Sequence, residues 1–143
     1  MSPTAVAEAF ERAPGLAERI APGPPDAVIA QARAILATMS EAERIAVLDA
    51  HPRIGATSGL SARSAAEQRA AEPTDAATLA ELERLNAAYE ARFGFRFVVF
   101  VRGRSRADLL PVLRARLDRS REAELATGLE EFLAIARDRL GRG

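Results

Sequence analysis

Phe97-Val98-Val99-Phe100-Val101 is the one β-branched and aromatic run in a chain that otherwise reads as helix. Taken alone it could be a buried strand. A strand needs a neighbour for its N–H and C=O groups, and the sequence offers no second run of this kind. It is therefore expected to be an extended segment threading between helices, its peptide groups satisfied by side chains, water or a ligand. The fold class that follows is all-α: a single-domain bundle of about six to seven helices over residues 1–143, with one extended segment near residues 97–101.

Outward from that run the helices declare themselves by period and by caps. Upstream, Leu79, Leu82, Leu85 and Tyr89 recur at steps of three or four in a helix from Asp75 to about Phe93, with Gly94 as its stop. Downstream, Arg102-Gly103-Arg104-Ser105-Arg106 reads as a solvated basic turn, Ser105 with Asp108 caps a helix to about Leu117, and a last helix runs from about Arg121 to Leu140. Toward the N-terminus, a short helix is expected over residues 3–12, then one more turn from Leu16 to Ile20 and a proline-rich loop over residues 21–25. Asp26 is the expected N-cap of a helix to about Met39, with Val28, Ile29, Ala32, Ile35 and Leu36 on its core face. Ser40 and Glu43 form a capping box for the next helix, which ends near Ala50. Residues 53–63 read as loop, and Ser64 opens a short helix that Pro73 terminates.

Composition narrows the chemistry. At 143 residues and 48% apolar, one closed core can bury roughly 68–70% of the unfolded surface. All 20 basic residues are arginine, so Schiff-base lysine chemistry is excluded. There is no cysteine, hence no thiolate nucleophile and no cysteine-ligated metal. One histidine cannot build a multi-imidazole zinc site, and no Asp-x-Asp-x-Asp-Gly calcium loop is present. The arginines are balanced by 20 acidic residues, which removes the field that would steer toward nucleic acid. Without an 18-residue apolar stretch or a signal-like start, no membrane partner is expected and the location expected is cytoplasmic.

The sole histidine, His51, stands at a helix-to-loop junction before Pro52. Its structural role would be a cation favoured by the helix C-terminus; its functional role would be proton transfer, for which an imidazole titrating near ~6.5 is suited. Glu67, three residues after Ser64, is either a capping carboxylate or part of a polar cluster, with Ser64 and Gln68, facing a ligand. Arg137 and Arg139 near the last helix end are dipole partners by default, and a carboxylate fork if one turns inward.

Three blocks in order give the chain a family resemblance: His51-Pro52 followed by an apolar-Gly pair, Ser64-x-x-Glu67-Gln68, and the long run from Leu85 through Phe93-Gly94-Phe95 to Arg104. With Ile135-Ala136-x-x-Arg139-Leu140 they resemble the 2-oxo-4-hydroxy-4-carboxy-5-ureidoimidazoline (OHCU) decarboxylases of urate breakdown. The resemblance implies an all-α homodimer that converts this ureide to (S)-allantoin and CO2 with no metal or organic cofactor. It implies His51 and Glu67 as catalytic groups. Pro52, Ser64, Gln68, Arg139 and the backbone of Phe97, Val98, Val99, Phe100 and Val101 would bind substrate. Arg96 stands where the family has proline, Asp138 precedes Arg139 where an apolar residue is usual, and Pro14-Gly15-Leu16 and Gly23-Pro24-Pro25 depart from its N-terminal pattern. Those departures keep two alternatives in view: action on another cyclic ureide, and a non-catalytic all-α interaction module.

Overall fold

The computed structural model describes residues 9–10, 16–51 and 76–142. Among these residues the chain is helical, without a strand. A 3-10 turn at Ala17–Arg19 precedes α1 (Pro25–Thr38), α2 (Glu41–Asp49), α3 (Ala76–Phe93), α4 (Arg106–Leu117) and α5 (Arg121–Arg142). The remaining expected helices, over residues 3–12 and from Ser64, lie outside the described residues apart from Ala9 and Phe10, both buried. The last helix, α5, is the spine, packing against α1 and α2, while α3 pairs with α4.

Local chemistry starts the helices where side chains can satisfy their first N–H groups. At α2 the Ser40 hydroxyl accepts from the Glu43 N–H at 3.2 Å and the Glu43 carboxylate accepts from the Ser40 N–H at 3.0 Å. The same reciprocal pair forms between Ser105 and Asp108 at α4. Glu43's carboxyl is held below its ordinary range by the Ser40 hydrogen bonds. At α1 the expectation is corrected: the helix begins at Pro25 with Pro24 as N-cap, and no side chain caps it. Proline at the first position needs no partner for an N–H it lacks, so Asp26 is released to pair with Arg137 at 2.9 Å. Helix α5 also runs past Leu140 to Arg142.

Two devices set the helices against one another. The proline-rich stretch after Ile20 is strapped to α1 by Gln31, whose amide donates to the Ala21 C=O at 3.0 Å and accepts from its N–H at 2.9 Å. Arg44 on α2 donates to the C=O groups of Leu36 and Ala37, the open end of α1, at 2.9 and 3.0 Å. Close packing then does the rest: a Cβ at Gly128 of α5 would stand 3.2 Å from a methyl of Leu48, which is fully buried on α2. Gly94 ends α3 with φ +80° and its N–H on the Glu90 C=O at 2.9 Å, the left-handed stop expected of glycine.

The core also holds charge. Glu124 on α5 is fully buried; its carboxylate accepts from the Tyr89 hydroxyl at 2.6 Å, Arg116 Nε at 2.8 Å and Arg119 Nη1 at 2.9 Å. Arg116, 6% exposed, also donates from Nη1 to the Val98 C=O at 2.8 Å and stacks 4.5 Å above the Phe97 ring. Burial, then the hydrogen bond to Glu124, raise the Tyr89 hydroxyl far above its ordinary value, so it donates at any working pH. Removing Glu124 would strand the buried Tyr89 hydroxyl and Arg116 guanidinium without water, while Arg119 reaches the surface. Glu124→Ala is therefore expected to cost about 3–5 kcal/mol, lowering the melting temperature by roughly 10 °C or more, while Glu124→Gln, which keeps an acceptor for Tyr89, costs less. Thermal denaturation of the two variants measures the difference.

Candidate functional site

His51 lies one residue beyond the C-cap of α2, half-buried, its backbone N–H on the Leu48 C=O at 3.1 Å. Its ring meets the edge of Phe132 on α5 at 6.5 Å between centroids, near perpendicular. Two bonds from Arg96 hold this corner. The Arg96 main-chain N–H donates to Asp49 Oδ1 at 3.0 Å, and its guanidinium Nη1 donates to the His51 C=O at 3.0 Å.

Residues 97–101 form the non-helical run anticipated from sequence, with Phe97, Val98 and Val99 buried and Phe100 and Val101 half-buried. Its peptide groups find partners in side chains, and these fall on alternate residues. Val98 C=O takes Arg116; Phe100 N–H donates to Glu131 Oε1 at 3.2 Å; Phe100 C=O accepts from Arg104 Nη2 at 2.6 Å. With the Arg96 N–H on Asp49, one edge of the run is anchored to α2, α4 and α5. Alternate bonding is what an extended chain dictates, since successive residues turn their N–H and C=O groups to opposite edges. Among the described residues, the hydrogen bonds leave the peptide groups of Phe97 and Val99, on the other edge, unused.

The run ends in a tight turn. Arg102 and Gly103 both take positive φ, +55° and +74°, and the Arg104 N–H closes the turn on the Val101 C=O at 3.0 Å. Arg102 stacks 5.1 Å from the Phe100 ring, while Arg104 folds back onto Val101 and Phe100. This arginine cluster is thus the structural turn expected ahead of α4, partly spent on its own backbone.

Burial separates the two C-terminal arginines. Arg137 pairs with Asp26 with its side chain 46% exposed, whereas Arg139 is 2% exposed and turned inward. Arg139 follows Phe132 by seven residues along α5, roughly 10 Å at the helical rise. Glu131, Phe132 and Arg139 therefore relate one helix to the segment, to His51 and to a buried cation. Pro52, Ser64, Glu67 and Gln68 lie outside the described residues. A recess of about 500 Å3 beside the segment is lined by Phe100, Arg102, Ala134, Arg137, Asp138 and Gly141. Another of about 500 Å3, between α1 and α5, is lined by residues such as Arg33, Leu36, Arg121 and Leu129 and contains none of the candidate catalytic or binding residues.

Sequence reading missed Arg96 as a contact, together with Arg116, Glu124 and Glu131. Arg116 and Glu124 had a signal. Glu124 falls on the stripe 124–128–132–136–140 of α5, and Arg116 follows Leu109 and Leu113 on α4, each a charge at a core position. Among the described residues no group of three or more acidic or histidine side chains could hold a metal ion, and no helix is long and apolar enough to cross a membrane.

The model of the family described as OHCU decarboxylase matches residues 3–141. A 2-oxo-4-hydroxy-4-carboxy-5-ureidoimidazoline decarboxylase from Haloferax volcanii is 32% identical over 95% of this chain and 84% of its own length. The uric acid degradation bifunctional protein PucL of Bacillus subtilis is 34% identical over 92% of this chain, which spans 28% of that longer protein. A solved structure of OHCU decarboxylase in the presence of (S)-allantoin superposes with a TM-score of 0.79 at 26% identity, covering 96% of both chains.

Replacing Glu131 by alanine is expected to remove the acceptor of the Phe100 N–H, speeding its hydrogen exchange about tenfold at a cost of about 1 kcal/mol. Glu131→Gln keeps an acceptor oxygen and should leave that exchange near wild type; amide exchange followed by NMR reads both.

Proposed function

This chain belongs to the OHCU decarboxylase family, and we propose that it converts 2-oxo-4-hydroxy-4-carboxy-5-ureidoimidazoline to (S)-allantoin and CO2 in the breakdown of urate. The observation that carries this is a family match spanning residues 3–141, nearly the whole chain. The bond to the carboxylate breaks, its electron pair moves into the ring, and a proton is delivered to one face of the carbon bearing the ureido group. One face gives one enantiomer.

His51 is the proton-transfer group. Its half-buried place at the end of α2, against Phe132 and clasped through its own C=O, supports a ring held in one orientation. The segment of residues 97–101 supplies backbone donors and acceptors to the ureide, in keeping with the Phe97 and Val99 peptide groups that no hydrogen bond among the described residues takes up. A ring of alternating amide N–H and C=O groups is the partner such groups suit. Buried Arg139 meets an anionic or carbonyl oxygen of the substrate, where low dielectric strengthens the contact. Glu67 is the second catalytic group, and Pro52, Ser64 and Gln68 complete the binding shell, roles carried by the family motif they match. Neither metal nor organic cofactor is needed, since the substrate's own ring absorbs the electron pair. The working form is a homodimer in the cytoplasm; sedimentation at twice the monomer mass is the expected result, and a concentration-independent monomer would refute it.

The assignment is tested by supplying freshly generated substrate, made from urate, and following optical activity. Accumulation of (S)-allantoin faster than the uncatalysed reaction is expected; racemic product at the background rate would sink the assignment. His51→Gln should lower turnover by roughly 10² to 10⁴ with a melting temperature close to wild type. A severe drop in melting temperature with activity falling only in proportion would instead make His51 a packing residue.

A further inference from the structure

We propose that Arg96 is a positioning residue for His51, tying the helix end that carries the imidazole to the ligand-facing segment; this rests on the role just given to His51. Both bonds come from this one residue, and they land two residues apart, on Asp49 and on His51. Two anchors at that spacing fix the rotation of the corner as well as its position. The His51 C=O lies past the end of α2, where no intrahelical donor is available to it, so the guanidinium supplies what the helix cannot.

The same residue begins the segment. Its N–H sits on the edge whose later bonds go to Arg116, Glu131 and Arg104, and Glu131 is the neighbour of Phe132, whose ring meets His51. Imidazole and segment are thereby held in one frame by Arg96 on one side and by α5 on the other. Asp49 is exposed and Arg96 half-exposed, so the two bonds add little to global stability. Their effect falls on orientation. The segment keeps its own anchors when Arg96 is lost, so substrate affinity should survive where turnover does not.

The experiment uses the untagged full chain, whose single histidine gives one imidazole Cε1–H signal. Arg96→Met keeps an apolar stem and removes the guanidinium; Arg96→Lys keeps a cation that can reach one carbonyl. For Arg96→Met, kcat is expected to fall about 10- to 100-fold with KM within about threefold of wild type. The melting temperature should stay within about 2 °C, and the nuclear Overhauser contact between the imidazole and the Phe132 ring should weaken or vanish. Arg96→Lys should recover most of kcat and the ring contact. Wild-type kcat in Arg96→Met, or a loss that tracks unfolded protein while the ring contact persists in the folded fraction, would overturn the proposal. A wild-type protein without turnover would refute the decarboxylase assignment instead, and the ring contact would still decide the positioning claim: retained in Arg96→Met, it refutes it; lost, it supports it.

Discussion

Glu124 is a carboxylate with no access to water, and the need to satisfy it ties α3, α4 and α5 together beside residues 97–101. Its three donors come from α3, α4 and the turn after α4. A one-residue slip of any of these elements would take one of those donors from a buried charge, so the group fixes register more than it adds stability. Removing two charges from water costs several kcal/mol per ion, which the attraction between them roughly returns. What the network secures is a single arrangement, and through the bond from Arg116 to the Val98 C=O that arrangement includes the segment itself.

A segment with no strand partner among the described residues would ordinarily be a weakness in a helical protein. Here one edge is held by Asp49, Arg116, Glu131 and Arg104, while among the described residues the peptide groups of Phe97 and Val99 on the opposite edge take no hydrogen bond. Rigid peptide groups need no reorganisation when a ligand arrives, which favours binding of a small polar ring. The same logic extends to His51, whose main chain is bonded on both sides and whose ring rests on Phe132. Placing such groups on the ends of packed helices keeps them near the surface yet immobile.

Much of this was legible from residues alone. Both described capping boxes, the stop at Gly94, the non-helical run and the helical remainder follow from local rules, because a hydroxyl three residues before a carboxylate, or a glycine at positive φ, acts over a few bonds. The start of α1 was less legible. Pro25 and Asp26 both suit a first turn, and a distant partner, Arg137, decided where Asp26 would be used. For the site, the motif drew attention to His51, residues 97–101 and Arg139. Arg96 stood out only as a departure from the family pattern, and Glu131 showed no sign of a role at all, since both act across more than thirty residues of sequence.

The sequence by itself determined the all-α class, the boundaries of the described helices to within a residue or two, the exclusion of lysine and cysteine chemistry, and the single histidine as the candidate for proton transfer. These are matters of period, capping and residue type, and they are settled locally. Only the tertiary structure decided that Arg139 turns inward while Arg137 faces out, that a carboxylate could be buried at Glu124, and that Arg96 clasps the corner carrying His51. Those outcomes depend on which desolvated groups meet, and a charge can afford burial only where the fold brings it a partner.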